Sequence, residues 1–260
     1  MKILSGAELR DYIKERQAKQ VRALRQAHQV FPKLAIIITV DDPVIEKYVA
    51  LKQEYGEDIL IDVQVRRIQQ QEAKALIDQL NNDATVHGII VQLPLQNTNE
   101  TDDILNQIDS AKDVDGLTKG SPFIAATPMA IDWLLAGYNV DLKGKAIVVV
   151  GNGKLVGQPL AALWQGAGLN VTVCDDKTED LQGTVKQADI IVTATGQPGL
   201  ITGAMVKPGA VLVDAGTASE NGKLVGDAAP DVRERNDITI TPPTGGVGPL
   251  TVAALFDNLI

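Results

Sequence analysis

Sulfur, aromatic rings and positive charge are all scarce in this chain of 260 residues. A single cysteine, Cys174, excludes a disulfide within the chain and gives no sign of an oxidising compartment. The two histidines, His28 and His87, cannot combine with it into a zinc cluster of the usual spacing. Lysine and arginine number 24 against 33 aspartates and glutamates. The resulting net charge of −9 leaves no basic surface for nucleic acid or an anionic membrane, although a local positive pocket can still hold an anionic ligand. No apolar stretch reaches the ~18 residues that a membrane helix requires. Met1-Lys2-Ile3-Leu4-Ser5 leads into charged residues within ten positions, so no signal peptide is expected, and the expected compartment is the cytoplasm. Repeats of fixed period and low-complexity segments are missing as well.

What the chain does have is a core-forming composition, 45% hydrophobic and 22% charged, sufficient for one large domain or two smaller ones. Ser5 predicts the N-cap of a helix running to about His28, with Leu9, Ile13, Val21 and Leu24 near one stripe. The apolar run 33–40 predicts a buried strand, 43–56 a helix opened by Pro43, 59–65 a strand and 71–83 a helix. Another buried strand is expected at 88–95, stopped by Pro94, then an acidic helix over 101–109 and the loop "KDVDG" at 112–116. This alternation implies a parallel sheet covered by helices. The helix expected at 127–138 suits a connection to a second domain. There the series is strand 145–150, helix 155–167, strand 170–174, helix 179–187 and strands 189–193 and 210–214, ending in a Pro/Gly loop and a terminal helix.

Six features carry chemistry, and all but one have a plainer alternative. "GNGKLVGQP" (151–159) follows an apolar strand and precedes a helix, the setting of a dinucleotide loop. Gly151 would allow the tight turn and Gly153 close backbone approach, with the helix N-terminus facing a pyrophosphate. The spacing to Gly157 is one residue longer than the strict fingerprint, and a tight turn without ligand is the other reading. Asp175, 24 positions after Gly151, and Asp176 could receive an adenosine ribose and repel a 2′-phosphate, or be surface turn residues. Tyr48 and Lys52, four apart, share one helix face, where a phenol could position an aromatic substrate beside a proton-transferring lysine; a solvated lysine with a half-buried tyrosine has the same spacing. Gln92 ends a buried strand, where a polar amide needs partners and where α/β sheets bind ligands. Asp113 and Asp115 could bind a ligand, a metal or only their own turn, and "TGGVGP" (244–249) is either a ligand-contacting loop or an irregular cap.

Together these stretches resemble one family, the bifunctional methylenetetrahydrofolate dehydrogenase/cyclohydrolases of FolD type. The matching segments stand in the family's order across nearly the whole chain: "DDPVIEKYVALK", "LNNDATVHGIIVQLPL", "KDVDGL", "TPMAIDWLL", "VVVGNGKLVGQP", "ADIIVTATGQPG", "KPGAVLVDAGT" and "TPPTGGVGPLT". The resemblance implies two α/β domains with a cleft between them: a parallel-sheet folate-binding catalytic domain, 1–122 with 244–260, and a Rossmann NAD(P)-binding domain, 123–243. It implies a homodimer that oxidises 5,10-methylenetetrahydrofolate and hydrolyses the methenyl product to 10-formyltetrahydrofolate. Lys52 would be the general acid/base of the hydrolysis, Gln92 would hold and tune it, Tyr48 would orient it and the folate, and Asp115 would accept hydrogen bonds from the pterin. Val91, Leu93 and Thr244, Gly245, Gly246, Val247 and Gly248 would line the substrate site. Gly151, Asn152, Gly153, Val156, Gly157, Asp175, Asp176, Thr195, Gly196, Gly216 and Thr217 would bind the cofactor.

The chain also departs from the family's pattern. The family usually carries Arg-Ser where Asn152 and Gly153 stand, and often His-Ser where Asp175 and Asp176 stand. Of NAD and NADP, the departures favour NAD. Ile45 replaces a usual serine, Glu54 a second lysine and Thr244 a common proline, and the segment from Lys52 to Gln92 is a few residues short. A monofunctional dehydrogenase or cyclohydrolase, or a non-catalytic folate- or nucleotide-binding relative, remain alternatives on sequence.

Overall fold

The computed structural model describes residues 2–220 and 223–260. In chain order the strands are β1 (Lys2–Ile3), β2 (Lys33–Ile38), β3 (Asp62–Arg67), β4 (Gly88–Val91), β5 (Ile147–Val150), β6 (Val171–Cys174), β7 (Ile190–Thr193), β8 (Val211–Asp214), β9 (Ala218–Glu220), β10 (Lys223–Val225) and β11 (Thr239–Ile240). The helices are α1 (Gly6–Ala27), α2 (Pro43–Asp58), α3 (Ala73–Asn82), α4 (Thr101–Leu105), α5 (Ala126–Gly137), α6 (Gly157–Gly166), α7 (Leu181–Gln187), α8 (Pro230–Arg233) and α9 (Val247–Leu259). Among the described residues no helix is long and apolar enough to cross a membrane.

The chain forms two compact units, Asp11–Ala126 with Val252–Ile260, and the chain up to Arg10 with Thr127–Thr251. Compared with the division expected from sequence, residues 2–10 and 244–251 pack with the second series of strands, and 123–126 with the first. The reason is local hydrogen bonding. β1 pairs parallel with β11, Leu4 N donates to Ile240 O at 2.9 Å, and the amides of Gly6 and Ala7 both donate to Gly245 O. A two-residue strand shows no periodicity in a sequence.

In the unit holding β2, the sheet order is β3-β2-β4, all parallel, with Leu34–Ile38 of β2 and all of β4 buried. Each buried isoleucine contributes roughly 1.5–3 kcal/mol of hydrophobic stabilisation. α9 joins this core through Phe256, whose ring stacks on Tyr55 at 5.2 Å. Fully buried Gln17 bridges the same elements, accepting from Tyr55 Oη at 2.8 Å and donating to Ala253 O at 2.9 Å. The strand expected at 59–65 lies instead at Asp62–Arg67. Ile59 caps α2 and Leu60 turns with φ +66°, so this apolar pair ends a helix rather than starting a strand. The crossover from β2 to β3 runs one way along the sheet and that from β3 to β4 runs back past β2, so the strand order reverses and the crevice beyond the carboxyl ends of β2 and β4 is a topological switch point.

The other unit has a six-stranded parallel sheet ordered β1-β11-β8-β7-β5-β6, with a separate antiparallel pair, β9 and β10. Its central strands β5 (IVVV) and β7 (IIVT) are buried along their whole length, as expected of strands covered on both faces. Here the switch point lies between β5 and β7, which puts the loops after Val150 and after Thr193 side by side.

Candidate active site

Lys52 reaches its position because α2 is fixed at its start and buried along one stripe. Asp42 caps the helix, its Oδ1 accepting from the amides of Val44 and Ile45 at 2.8 and 3.1 Å, and Pro43 occupies the first turn. Ile45, Val49, Lys52 and Gly56 fall on the buried face, with Tyr48 half-buried one turn before Lys52. Lys52 is only 8% exposed, and its Nζ donates to Gln92 Oε1 at 2.7 Å. Gln92 follows the last residue of β4; its amide extends the sheet to Ile37 O, and its Nε2 donates to Leu93 O at 3.3 Å. The Leu93–Pro94 peptide is cis.

Burial pushes the Lys52 pKa down, and the Asp115 carboxylate partly opposes this. Asp115, half-buried, is itself pushed up by burial, with Lys52 pulling it down and Asp113 adding to the rise. The pair therefore keeps an amine that can become neutral within reach of a carboxylate. One N–H of that amine is committed to Gln92, which leaves its lone pair free to take a proton elsewhere.

The loop carrying Asp115 is held from four directions. Lys112 Nζ donates to the carbonyls of Leu80, Asn81 and Asp83, closing the C-terminus of α3 with a cation. Asp113 turns out to serve its own turn: buried, it accepts from Thr118 N at 2.7 Å and Thr118 Oγ1 at 2.8 Å. Asn258, on α9, donates to Val114 O at 2.9 Å and Ile124 O at 3.0 Å. Gly116 has φ +71°, and a Cβ there would lie 2.7 Å from Ala125 N and Cα. Gly116→Ala is therefore expected to cost about 2–4 kcal/mol in denaturant unfolding, from left-handed backbone and overpacking together. A cost below 1 kcal/mol would show that the loop can yield.

In the other unit the glycine loop has the close contacts that a dinucleotide loop requires. Gly151 adopts φ +103° and donates to Cys174 O at 2.8 Å; a Cβ on it would lie 2.6 Å from Ala194 O. A Cβ on Gly157 would overlap the Gly151 carbonyl, so this glycine lets α6 start hard against the loop. Gly153 faces open space and Asn152 is exposed, while Val156 is the residue before the first turn of α6. Loop and helix start thus leave a cradle that fits a pyrophosphate. Asp175 follows β6 next to Gly151; its Oδ1 accepts from Lys177 N at 3.0 Å, and Asp176 is exposed. Asp175 is thus a turn former, but one standing at the edge of the cradle.

Thr195 and Gly196 follow β7, and Gly216 and Thr217 follow β8, with Gly196 close enough that a Cβ would lie 3.3 Å from Thr217 O. Two carboxylates that the sequence reading passed over fix these loops: Asp227 accepts from the amides of Thr195 and Gln197, and Asp214 accepts from those of Gly216, Asp227 and Ala228 and pairs with Arg233. Loop 244–248 belongs to this unit as well; Gly245 has φ +81° and its carbonyl receives the first amides of α1. The structure therefore brings Tyr48, Lys52, Val91, Gln92, Leu93 and Asp115 into one unit, and the glycine loop, Asp175, Asp176, 195–196, 216–217 and 244–248 into the other.

Comparison with known proteins divides these site residues in the same way, although it assigns 4–10 and 252–260 to the opposite halves. Residues 4–115 match the catalytic domain of tetrahydrofolate dehydrogenase/cyclohydrolase, and residues 125–260 match its NAD(P)-binding domain. The bifunctional protein FolD of Bordetella petrii is 37% identical over all of this chain and 92% of its own length. The crystal structure of the bifunctional enzyme FolD from Campylobacter jejuni, a methylenetetrahydrofolate dehydrogenase/cyclohydrolase, superposes with a TM-score of 0.93 at 38% identity, covering 100% of this chain and 97% of that one. The Trypanosoma brucei enzyme complexed with NADP and an inhibitor gives 0.92 at 30% identity, over 99% and 95% of the two chains. Both halves and their order coincide, and the chain belongs to the tetrahydrofolate dehydrogenase/cyclohydrolase family.

Proposed function

We propose that this protein oxidises 5,10-methylenetetrahydrofolate to 5,10-methenyltetrahydrofolate with a nicotinamide dinucleotide and hydrolyses the product to 10-formyltetrahydrofolate. The observation that carries it is the buried Lys52–Gln92 hydrogen bond of 2.7 Å with Asp115 acting electrostatically on the same amine. In hydrolysis Lys52 moves the proton, Gln92 fixes the direction of its lone pair, and Tyr48 orients the folate's ring system against it. The methenyl substrate is cationic, which further favours the neutral amine. Asp115, an acceptor when ionised, takes the donor-rich edge of the pterin. Leu93 flanks Gln92 as a wall residue, Val91 supports it from the buried core, and Thr244, Gly245, Gly246, Val247 and Gly248 belong to the proposed substrate-binding residues.

The oxidised nicotinamide, when bound, supplies the hydride acceptor, and the protein supplies positioning. Gly151, Asn152, Gly153, Val156 and Gly157 would receive the pyrophosphate, Asp175 and Asp176 the adenosine ribose, and Thr195, Gly196, Gly216 and Thr217 the nicotinamide half. Following appearance and decay of methenyltetrahydrofolate spectrophotometrically tests both activities in one assay.

We further read the cofactor as NAD. No arginine or serine follows Gly151 to hold a 2′-phosphate, and the paired carboxylates of Asp175 and Asp176 repel one. The expected result is a kcat/KM for NAD at least about tenfold above that for NADP, a difference of ~1.4 kcal/mol. Equal use of both, or a preference for NADP, would overturn this. The family's homodimer, a cytoplasmic location and the lack of nucleic-acid or membrane partners belong to the same proposal, supported by the acidic composition; light scattering on the purified protein tests the dimer.

A further inference from the structure

Asp227 has no side-chain exposure to solvent, yet nothing in the chemistry above uses it. Its carboxylate is saturated from one side: Oδ2 accepts from Thr193 Oγ1 at 2.6 Å and Thr195 N at 2.7 Å, and Oδ1 accepts from Gln197 N at 2.9 Å. All three donors sit at the end of β7 or in the turn after it. Its own backbone amide donates to Asp214 Oδ1 at 3.0 Å, and the same oxygen accepts from Gly216 N at 3.1 Å, at the start of the turn after β8. Two neighbouring glycines make room for this arrangement. A Cβ on Gly216 would overlap the Asp227 carboxylate, and one on Gly226 would overlap that of Asp214.

The turn that Asp227 holds is also the seat of the glycine loop. A Cβ on Gly151 would meet Ala194 O at 2.6 Å and Thr195 Cγ2 at 3.1 Å, so the loop rests on Ala194 and Thr195 with no slack. The three turns at the carboxyl ends of β5, β7 and β8 thus form one assembly, tied by a buried carboxylate that holds Thr195 and abuts Gly216 from behind and has no exposure of its own.

We infer that Asp227 is a positioning residue for the dinucleotide site: it sets the 194–197 turn, and through it the glycine loop and the 216–217 turn. This rests on the proposal that the unit binds a nicotinamide dinucleotide. Asparagine in its place keeps the shape but turns one acceptor oxygen into an NH2 group, which in either orientation must face a backbone N–H, that of Thr195 or that of Gln197.

The test is Asp227→Asn in the full-length protein, with Kd for NAD and NADP by calorimetry, KM for each in the dehydrogenase reaction, and the rate of methenyltetrahydrofolate hydrolysis. The expected result is a Kd and KM for dinucleotide raised tenfold or more, with hydrolysis within twofold of wild type, because Lys52 and its partners lie in the other unit. An unchanged dinucleotide Kd, or dinucleotide binding and hydrolysis falling together, overturns the inference. Should Asp227→Asn fail to fold, Thr193→Val removes one donor without altering charge; a threefold or larger rise in dinucleotide Kd with hydrolysis intact supports the inference, and no rise overturns it. A wild-type protein that binds no dinucleotide at all would instead refute the functional proposal beneath it.

Discussion

Lys52→Met should reduce methenyltetrahydrofolate hydrolysis by about 10²–10⁴-fold, the usual worth of a positioned acid–base group, while leaving dehydrogenase turnover much less affected. Methionine is the informative replacement because Lys52 is buried: it fills the same unbranched volume without leaving a cavity. It should also not destabilise the fold at neutral pH. A lysine whose folded pKa lies below its unfolded value costs stability in full below the folded value, and that cost shrinks as pH rises from the folded to the unfolded value. The same lowered pKa gives wild-type hydrolysis a rising pH profile, levelling once Lys52 is neutral. Hydrolysis by the variant within threefold of wild type, or a wild-type profile that falls over the same range, would remove Lys52 from the role.

Gly157→Ala should weaken dinucleotide binding roughly 5- to 150-fold, corresponding to the 1–3 kcal/mol that overpacking a rigid contact costs, although residue 157 offers no side chain to any ligand. The added methyl would overlap the Gly151 carbonyl, so either α6 retreats or the loop above it opens. Gly166→Ala, at the far end of α6, is the matched control: a Cβ there meets nothing within 4 Å and lies outside the cradle. Equal affinities for the two variants, measured by calorimetry, would mean that the loop adapts freely and that glycine spacing is not what shapes the cradle.

How much of this was readable beforehand depends on where the information resides. The buried strands β2, β4, β5 and β7 announce themselves because burial on both faces demands continuous apolar runs. β3 lies later in the chain than its apolar pattern suggests because it is an edge strand with half its residues solvated, whereas Ile59 and Ile61 just before it are buried. β1 and β11, two residues each, owe their existence to each other and to β8, which no local pattern encodes. At the site, Tyr48 and Lys52 declare themselves by helical spacing and Gln92 by being polar at the end of an apolar strand. Asp214 and Asp227 do not: an aspartate beside a glycine reads as a surface turn, and only the tertiary fold reveals that its acceptors are consumed by distant amides.

Asn258 has a consequence for anyone altering this protein. One carboxamide from the last helix satisfies the carbonyls of Val114 and Ile124, which bracket Asp115 and Gly116 in the chain. Segments more than 130 residues apart therefore share a single fastening. A randomised 112–116 library built on a fixed Asn258 samples only those loops that present the residue-114 carbonyl to a carboxamide already tied to Ile124. Freeing the loop to take a different folate analogue means changing the far end of the chain at the same time.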